Sequence, residues 1–210
     1  MTSEDAAALP GLRERRRRQT RREIADAAIQ LFCRQGVEHT TVDDIAHAAG
    51  VSPRTFFRYA ATKQHAIFVD DDGRERLLAA VRADAAGGAS PLAAIERAHT
   101  LLLAEFDDLS PAEQERGLRV RELIFADEGL LALALARDAE TLDQLVAFVR
   151  ERDPGTLSAL QARTLVTAVG TAFRLTLDEW AHRATDGERV STRRLYAEIR
   201  GTLVTFFGEG

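Results

Sequence analysis

The stretch from Thr41 to Lys63 constrains this chain most, because its residue choices dictate a helix, a tight turn and a second helix. Thr41 can cap a helix, with Asp44 three residues on in the capping-box position. Val42, Ile45, Ala46 and Ala49 then recur at helical spacing and form one apolar face. Ala46 is small where a second helix must come close, and Gly50 supplies a left-handed residue to end the first helix. Ser52 is a good second N-cap, and Pro53 sits at the first helical position, where its missing N–H costs nothing. Val51 and Phe56 occupy the hydrophobic-staple positions N′ and N4 around that cap. A helix, glycine turn and helix at this spacing is the unit that lays its second helix in a DNA major groove.

Overall charge gives no hint of such a partner. The 210 residues carry a net charge of −5, which argues against a generic polyanion binder. The charge is unevenly spread: residues 1–68 hold 11 Lys+Arg against 8 Asp+Glu, a local +3, leaving −8 on the remainder. A basic amino-terminal portion on an acidic body suits a DNA-reading module joined to something else. Ala, Leu, Arg and Glu dominate and β-branched alternation is nearly absent, so the expected class is all-α. Cys33 is the single cysteine, which excludes an internal disulfide, and its place beside Phe32 predicts a small core hydrophobe. The amino terminus has no apolar run before its arginines, and no stretch has the roughly 18–20 apolar residues of a membrane span. A soluble, cytoplasmic protein with no membrane partner is expected.

Residues 1–12 are expected to be disordered. Seven arginines follow between Arg13 and Arg22, a basic arm that could follow phosphates or a minor groove, or equally be a solvated charge run. A capping box from Thr20 to Glu23 predicts the first helix start, and Ile24, Ala27, Ala28, Leu31 and Phe32 form its buried face until Gly36 stops it. A longer helix is expected from Lys63 to about Ala85, with Asp70, Asp71 and Asp72 on its exposed side. That acidic run lacks the ligand spacing of a calcium loop. Five further helices are predicted over about 91–107, 111–125, 128–152, 157–184 and 191–207, with breaks at 107–110, near Asp127, at Asp153 to Gly155 and at Asp186-Gly187. The helix of Leu165, Val166, Val169, Phe173, Leu177 and Trp180 is apolar on more than one face and should be central or shared with a partner. The last helix, with Leu195, Ile199, Leu203, Phe206 and Phe207, carries more apolar surface than a terminal helix of a monomer needs. Val190 and Leu195 repeat the staple logic around Ser191.

No phosphate-binding glycine loop, nucleophile elbow or His-Glu-x-x-His occurs. His39, His47, His65, His99 and His182 are scattered, and no two of them stand at the i, i+4 spacing of a helical histidine pair. No catalytic residue, metal or cofactor is expected, and the chain does not read as an enzyme.

The block from about Thr20 to Phe68 closely resembles the DNA-binding domain of TetR-type transcriptional regulators. The residues carrying the resemblance are Thr20-Arg21-Arg22-Glu23-Ile24, Leu31-Phe32, Gly36, Thr40-Thr41-Val42, Ile45-Ala46, Ala49-Gly50-Val51-Ser52, Thr55-Phe56-Phe57-Arg58-Tyr59 and Lys63. The resemblance implies a nine-helix, all-α homodimer, with a three-helix helix-turn-helix domain over 13–62 and a helical ligand-binding and dimerisation domain over 63–210. It further implies a ligand-responsive repressor that reads a near-palindromic operator in double-stranded DNA. Carried over residue by residue, Thr41 touches a phosphate from the first helix of the motif. Ser52, Pro53, Arg54, Thr55 and Phe57 face the groove. Arg58 and Tyr59 approach backbone or base edges, and Lys63, the one lysine in the chain, meets a phosphate. Phe57 stands where tyrosine is common, so a phosphate hydrogen bond is lost while contact with a thymine methyl remains. Arg54 is the candidate for direct readout, since a guanidinium bonds bidentately to guanine.

The segments Phe56-Phe57-Arg58-Tyr59 and Val120-Arg121-Glu122-Leu123-Ile124 are similar to a subset of these regulators related to the mycofactocin system, some responding to acyl-CoA-like ligands. That similarity implies an acyl-CoA-like or aromatic effector in an apolar pocket lined by some of Phe106, Leu118, Ile124, Phe125, Leu145, Phe148, Phe173 and Trp180. Arg121, Arg119 or Arg174 would then neutralise an anionic end. The other reading is that these aromatics are core and the arginines pair with Glu122, Asp178 or Glu179. Dimerisation is expected through the last two helices, with Ala168, Gly170, Thr171 and Ala172 admitting the partner's helix. Two competing classes are a helical small-molecule enzyme or carrier with an accessory helix-turn-helix, and a constitutive architectural DNA binder.

Overall fold

Nine α-helices and one 3-10 turn account for all regular structure among the described residues of the computed structural model, which covers the backbone of residues 3–208 and the side chains of 11–203 and 205. The helices are α1 (Ser3–Gln35), α2 (Val42–Ala48), α3 (Pro53–Tyr59), α4 (Gly73–Ala86), α5 (Pro91–Asp107), α6 (Pro111–Ala126), α7 (Glu128–Arg152), α8 (Ala159–Thr185) and α9 (Thr192–Gly208), with the 3-10 turn at Gln64–Phe68. Two compact units result, Met1–Asp72 with Leu123–Leu133, and Gly73–Glu122 with Ala134–Gly210.

Within the first unit, α1 packs on α2 and on the 3-10 turn, and α2 packs on α3. Their shared core holds Ile24, Ala28, Phe32, Ile45, Ala46, Phe56, Ala66 and Ile67, all buried. Gly36 and Gly50 end α1 and α2 with positive φ of 82° and 67°, a conformation other residues adopt only with strain. The expected start of α1 is corrected. The helix runs through Thr20, whose hydroxyl donates to Arg16 O at 3.0 Å instead of capping, while Glu23 accepts from Gln19 Nε2. Arg, Glu and Gln upstream are good helix formers, so nothing stops the helix at the box. The disorder expected for residues 1–12 is likewise corrected from Ser3 onward; residues 1 and 2 lie outside the described residues. Cys33 is exposed, because one step beyond Phe32 turns it about 100° off the buried face. The predicted long helix from Lys63 is two elements, with Asp70, Asp71 and Asp72 in the connection between them. Consecutive aspartates compete with backbone hydrogen bonding inside a helix, and their charge favours the N-terminus of α4.

The second unit is built on α5 and α8. Its largest core joins Leu77 and Val81 of α4, Ile95 and Ala98 of α5, Leu145 and Val149 of α7, and Ala162 and Val166 of α8. Ser90 and Ser158 cap α5 and α8, accepting from Ala93 N and Gln161 N. The start of α9 is held from outside. Asp107, at the end of α5, accepts from Ser191 Oγ (2.6 Å), Thr192 N (2.8 Å), Thr192 Oγ1 (2.9 Å) and Arg193 N (3.3 Å). Burial alone would raise the Asp107 carboxyl, but these hydrogen bonds outweigh it and hold the group below its ordinary value. Val190 and Leu195 pack in one cluster with Trp180 and Ala181, as the staple pattern requires. The side chains of Phe206 and Phe207 lie outside the described residues.

Candidate nucleic-acid interface

The second helix of the motif is only seven residues long, so its orientation depends on what fixes its ends and its buried side. Ser52 Oγ accepts from Thr55 N at 3.1 Å and donates to Thr55 Oγ1 at 3.0 Å, which leaves the Thr55 hydroxyl proton for an outside acceptor. Phe56 is fully buried and anchors α3 to the core. The side chains of Ser52, Pro53, Arg54, Phe57 and Arg58 are exposed, and Thr55 and Tyr59 are half-buried. Phe57 is 57% exposed and sits edge-on against Phe56 at 5.6 Å. Arg58 lies over the Tyr59 ring at 5.1 Å, whereas Arg54 has no partner among the described residues.

Thr41 caps α2 reciprocally with Asp44. Its N–H and hydroxyl both donate to Asp44 Oδ2 (2.9 and 2.7 Å), and its oxygen accepts from Asp44 N. Those bonds, the one from the Thr41 hydroxyl first, hold the Asp44 carboxyl below its ordinary value. Lys63 stands differently from its expected role at a phosphate. Its Nζ donates to Val37 O (2.7 Å), Glu38 O (3.2 Å) and Thr40 O (2.9 Å), the carbonyls of the turn after α1. An ammonium has three protons, and all three are engaged there. The sequence offered no signal for this, since the carbonyls come from residues more than 20 positions away.

The residues expected to line an effector pocket fall into different surroundings. Phe106 and Trp180 meet edge-to-face at 4.7 Å. Phe173 packs instead with Leu103, Ala172, Tyr196, Leu177 and Ile199, and its ring meets His99 at 4.7 Å. Phe148 borders the largest core of the second unit, and Phe125 is exposed and belongs to the first unit. Arg121 and Arg174 both clamp Asp178, at 2.9 and 3.2 Å, and Arg119 pairs with Glu115. Asp178 is among the partners that the sequence left open for Arg121 and Arg174, whereas Glu115, the partner of Arg119, is not. Two polar groups in this unit escaped the sequence reading. His99 is buried, 2.8 Å from Ile95 O, and burial depresses its pKa to about 4, so the ring is neutral. The Tyr196 hydroxyl is buried with no hydrogen-bond partner among the described residues, and burial foremost, with Glu96 adding to it, pushes that phenol up to about 12. The i, i+4 spacing of His99 from both Ile95 and Leu103 was the available signal for its burial.

A short capped helix, anchored by one buried aromatic and presenting Ser52, Arg54, Thr55 and Phe57 outward, defines a helix-turn-helix DNA-binding regulator. The sequence pattern of bacterial regulatory proteins of the tetR family matches residues 24–65. The transcriptional regulator TcmR of Streptomyces glaucescens is 33% identical over 186 residues, which is 87% of this chain and 82% of TcmR. MftR of Mycobacterium tuberculosis, named for regulation of mycofactocin biosynthesis, is 31% identical over 160 residues, 76% of this chain and 79% of MftR. The crystal structure of Thermus thermophilus FadR, a TetR family transcriptional repressor in complex with lauroyl-CoA, superposes with a TM-score of 0.53 at 26% identity, covering 88% of this chain and 93% of FadR. The chain belongs to the TetR family of transcriptional regulators. It is a DNA-binding regulator of transcription and not an enzyme. No helix among the described residues is long and apolar enough to cross a membrane.

Proposed function

We propose that this protein is a ligand-released repressor, which binds a near-palindromic operator as a homodimer and leaves it when an effector occupies the second unit. The observation that carries the reading is the outward face of α3, where Arg54 and Phe57 are exposed, Arg54 has no partner among the described residues, and the Thr55 hydroxyl proton is left for an outside acceptor. Arg54 reads a guanine edge, and Phe57 meets a thymine methyl or sugar. The Thr55 hydroxyl donates outward, and Thr41 reaches a phosphate when its hydroxyl proton turns away from Asp44. Ser52 and Pro53 bring the helix N-terminus toward the backbone, and Arg58 and Tyr59 flank the groove as a stacked pair. Lys63 acts behind this surface, fixing the turn between α1 and α2.

Dimerisation through α8 and α9 is supported by apolar surface on α8. Leu160 is 74% exposed, and Thr164, Ala168, Thr171 and Leu175 follow it at helical spacing on the side opposite Val166 and Trp180. Gly170 and Ala172 do not belong to that face. A Cβ on Gly170 would lie 2.4 Å from Leu142 Cδ2, and Ala172 is buried. Two-fold symmetry then puts two α3 helices on matching half-sites.

The effector is proposed to be an acyl-CoA-like or aromatic molecule. Support comes from the lauroyl-CoA in the FadR structure and from polar groups, the Tyr196 hydroxyl and neutral His99, set among apolar side chains of α5, α8 and α9. Phe106, Phe173 and Trp180 supply aromatic surface, with Arg121 and Phe148 as the remaining candidates in this unit. An effector acts only by binding the non-DNA-binding state more tightly. A gel-shift titration on the DNA upstream of the protein's own gene, with and without lauroyl-CoA, tests the reading. Saturable, salt-sensitive binding to that DNA that lauroyl-CoA reverses is the expected result. Binding that lauroyl-CoA leaves untouched removes the acyl-CoA proposal, and absence of binding removes the operator.

A further inference from the structure

The arginine run upstream of the helix-turn-helix lies on a continuous helix, and its register is informative. Along α1, Ile24, Ala25, Ala27, Ala28, Ile29, Leu31 and Phe32 are buried against the rest of the first unit. Counting back from Ile24 in steps of four and three gives Thr20, Arg17 and Arg13, and seven back from Ala25 gives Arg18. The face that is apolar where the domain lies against it thus becomes arginine where the helix extends past the domain. Residues 11–19 are exposed throughout.

The seven arginines divide by their partners. Arg21 donates to Val69 O, and Arg22 pairs with Asp26 at 2.9 Å and Asp70 at 3.3 Å, so both are tied to the domain. Arg17 and Arg18 share one carboxylate, Glu14, at 3.8 and 3.3 Å. Arg13, Arg15 and Arg16 have no partner among the described residues. A rigid row of guanidiniums this far short of carboxylates is built for an extended polyanion, and their planar forks match phosphate oxygens.

We propose that the Arg13, Arg17 and Arg18 face of α1 is a second contact with duplex DNA, gripping the phosphate backbone beside the site read by α3. The helix carries Arg13 about 16 Å beyond Ile24, enough to span several phosphates of a strand that bears a charge every ~3.4 Å along the duplex axis. This contact is sequence-independent. It supplies the attraction that a protein of net charge −5 otherwise lacks toward DNA. The inference rests on the DNA-binding reading above.

The test compares three full-length proteins on a duplex of mixed sequence and on the upstream DNA: wild type, R13Q/R17Q/R18Q, and R15Q/R16Q from the other side of the helix. Glutamine keeps helix propensity, and circular dichroism checks that helicity is retained. In the triple variant the slope of log affinity against log salt should fall by about 2–3, at 0.9 per lost phosphate contact, with the preference for upstream over mixed DNA unchanged. R15Q/R16Q should keep most of the wild-type slope. Equal slopes in the triple variant and wild type overturn the proposal. So does an equal fall per arginine in both variants, which marks a general charge effect. Wild type that binds no duplex at all refutes the DNA-binding reading itself, a result distinct from both.

Discussion

Arg54 and Lys63 are both cations of the DNA-binding unit, yet their surroundings assign them opposite duties. Arg54 is exposed and without a partner among the described residues, so its guanidinium can be matched to one base pair. Arg54→Ala is expected to weaken operator binding by about 1–3 kcal/mol and relax selectivity at one position of the half-site. Competition gel-shifts with single-base operator variants measure this, and unchanged preference at every position contradicts it. Lys63 is half-buried and holds three carbonyls. Lys63→Met should lower the stability of the first unit by about 2–3 kcal/mol through lost charge-assisted hydrogen bonds. Operator affinity should fall as α3 loses its fixed position, while the salt slope stays at its wild-type value. A slope reduced by about 1 would instead mark Lys63 as a phosphate ligand.

Helix ends explain how far the sequence could be read. Ser52-Pro53, Ser90-Pro91 and the capping box at Ser158 each combine a side-chain acceptor with a residue suited to the first turn; the first two start helices where expected, and the third starts α8 two residues after the expected 157. The same logic failed at Thr20, because a capping box acts only where the preceding backbone leaves the helix, and helix-forming residues precede it. Long-range contacts were not legible at all: the carbonyl cradle around Lys63 and the Asp107 brace on α9 join residues remote in sequence. The pocket residues were read from aromaticity alone, which cannot separate a lining side chain from a core one. The Asp107 brace carries its own prediction. Asp107→Ala should destabilise the second unit by about 2–4 kcal/mol, since it leaves the buried Thr192 N–H and hydroxyl without their carboxylate. Denaturant midpoints at neutral pH measure the cost. Because the folded carboxyl is held below its ordinary value, that stabilisation is present above the unfolded value of 3.8 and is lost as pH falls through the lower folded value.

At the scale of the whole molecule, the second unit must be stable enough to hold a regulator's shape and soft enough to respond to a ligand. His99 shows where that stability depends on conditions. Its ring is buried between α5 and α8, against Phe173, and burial lowers its pKa from 6.5 to about 4. Above pH 6.5 the ring is neutral in both folded and unfolded chains, and no penalty arises. Between 6.5 and about 4 the unfolded chain takes up a proton that the folded chain refuses, so stability falls as the solution becomes more acidic. Below about 4 the folded ring protonates too, and the loss levels off. The whole window amounts to about 3 kcal/mol. His99→Gln keeps a donor for Ile95 O but cannot titrate, so its urea midpoint should stay nearly flat across that window while wild type declines. The Asp107 loss begins only below 3.8, so the two titrations separate on the pH axis. Equal pH slopes for wild type and His99→Gln between pH 6.5 and 4 would show that the ring takes up its proton within the folded protein. That would remove neutral His99 from the polar groups offered to an effector.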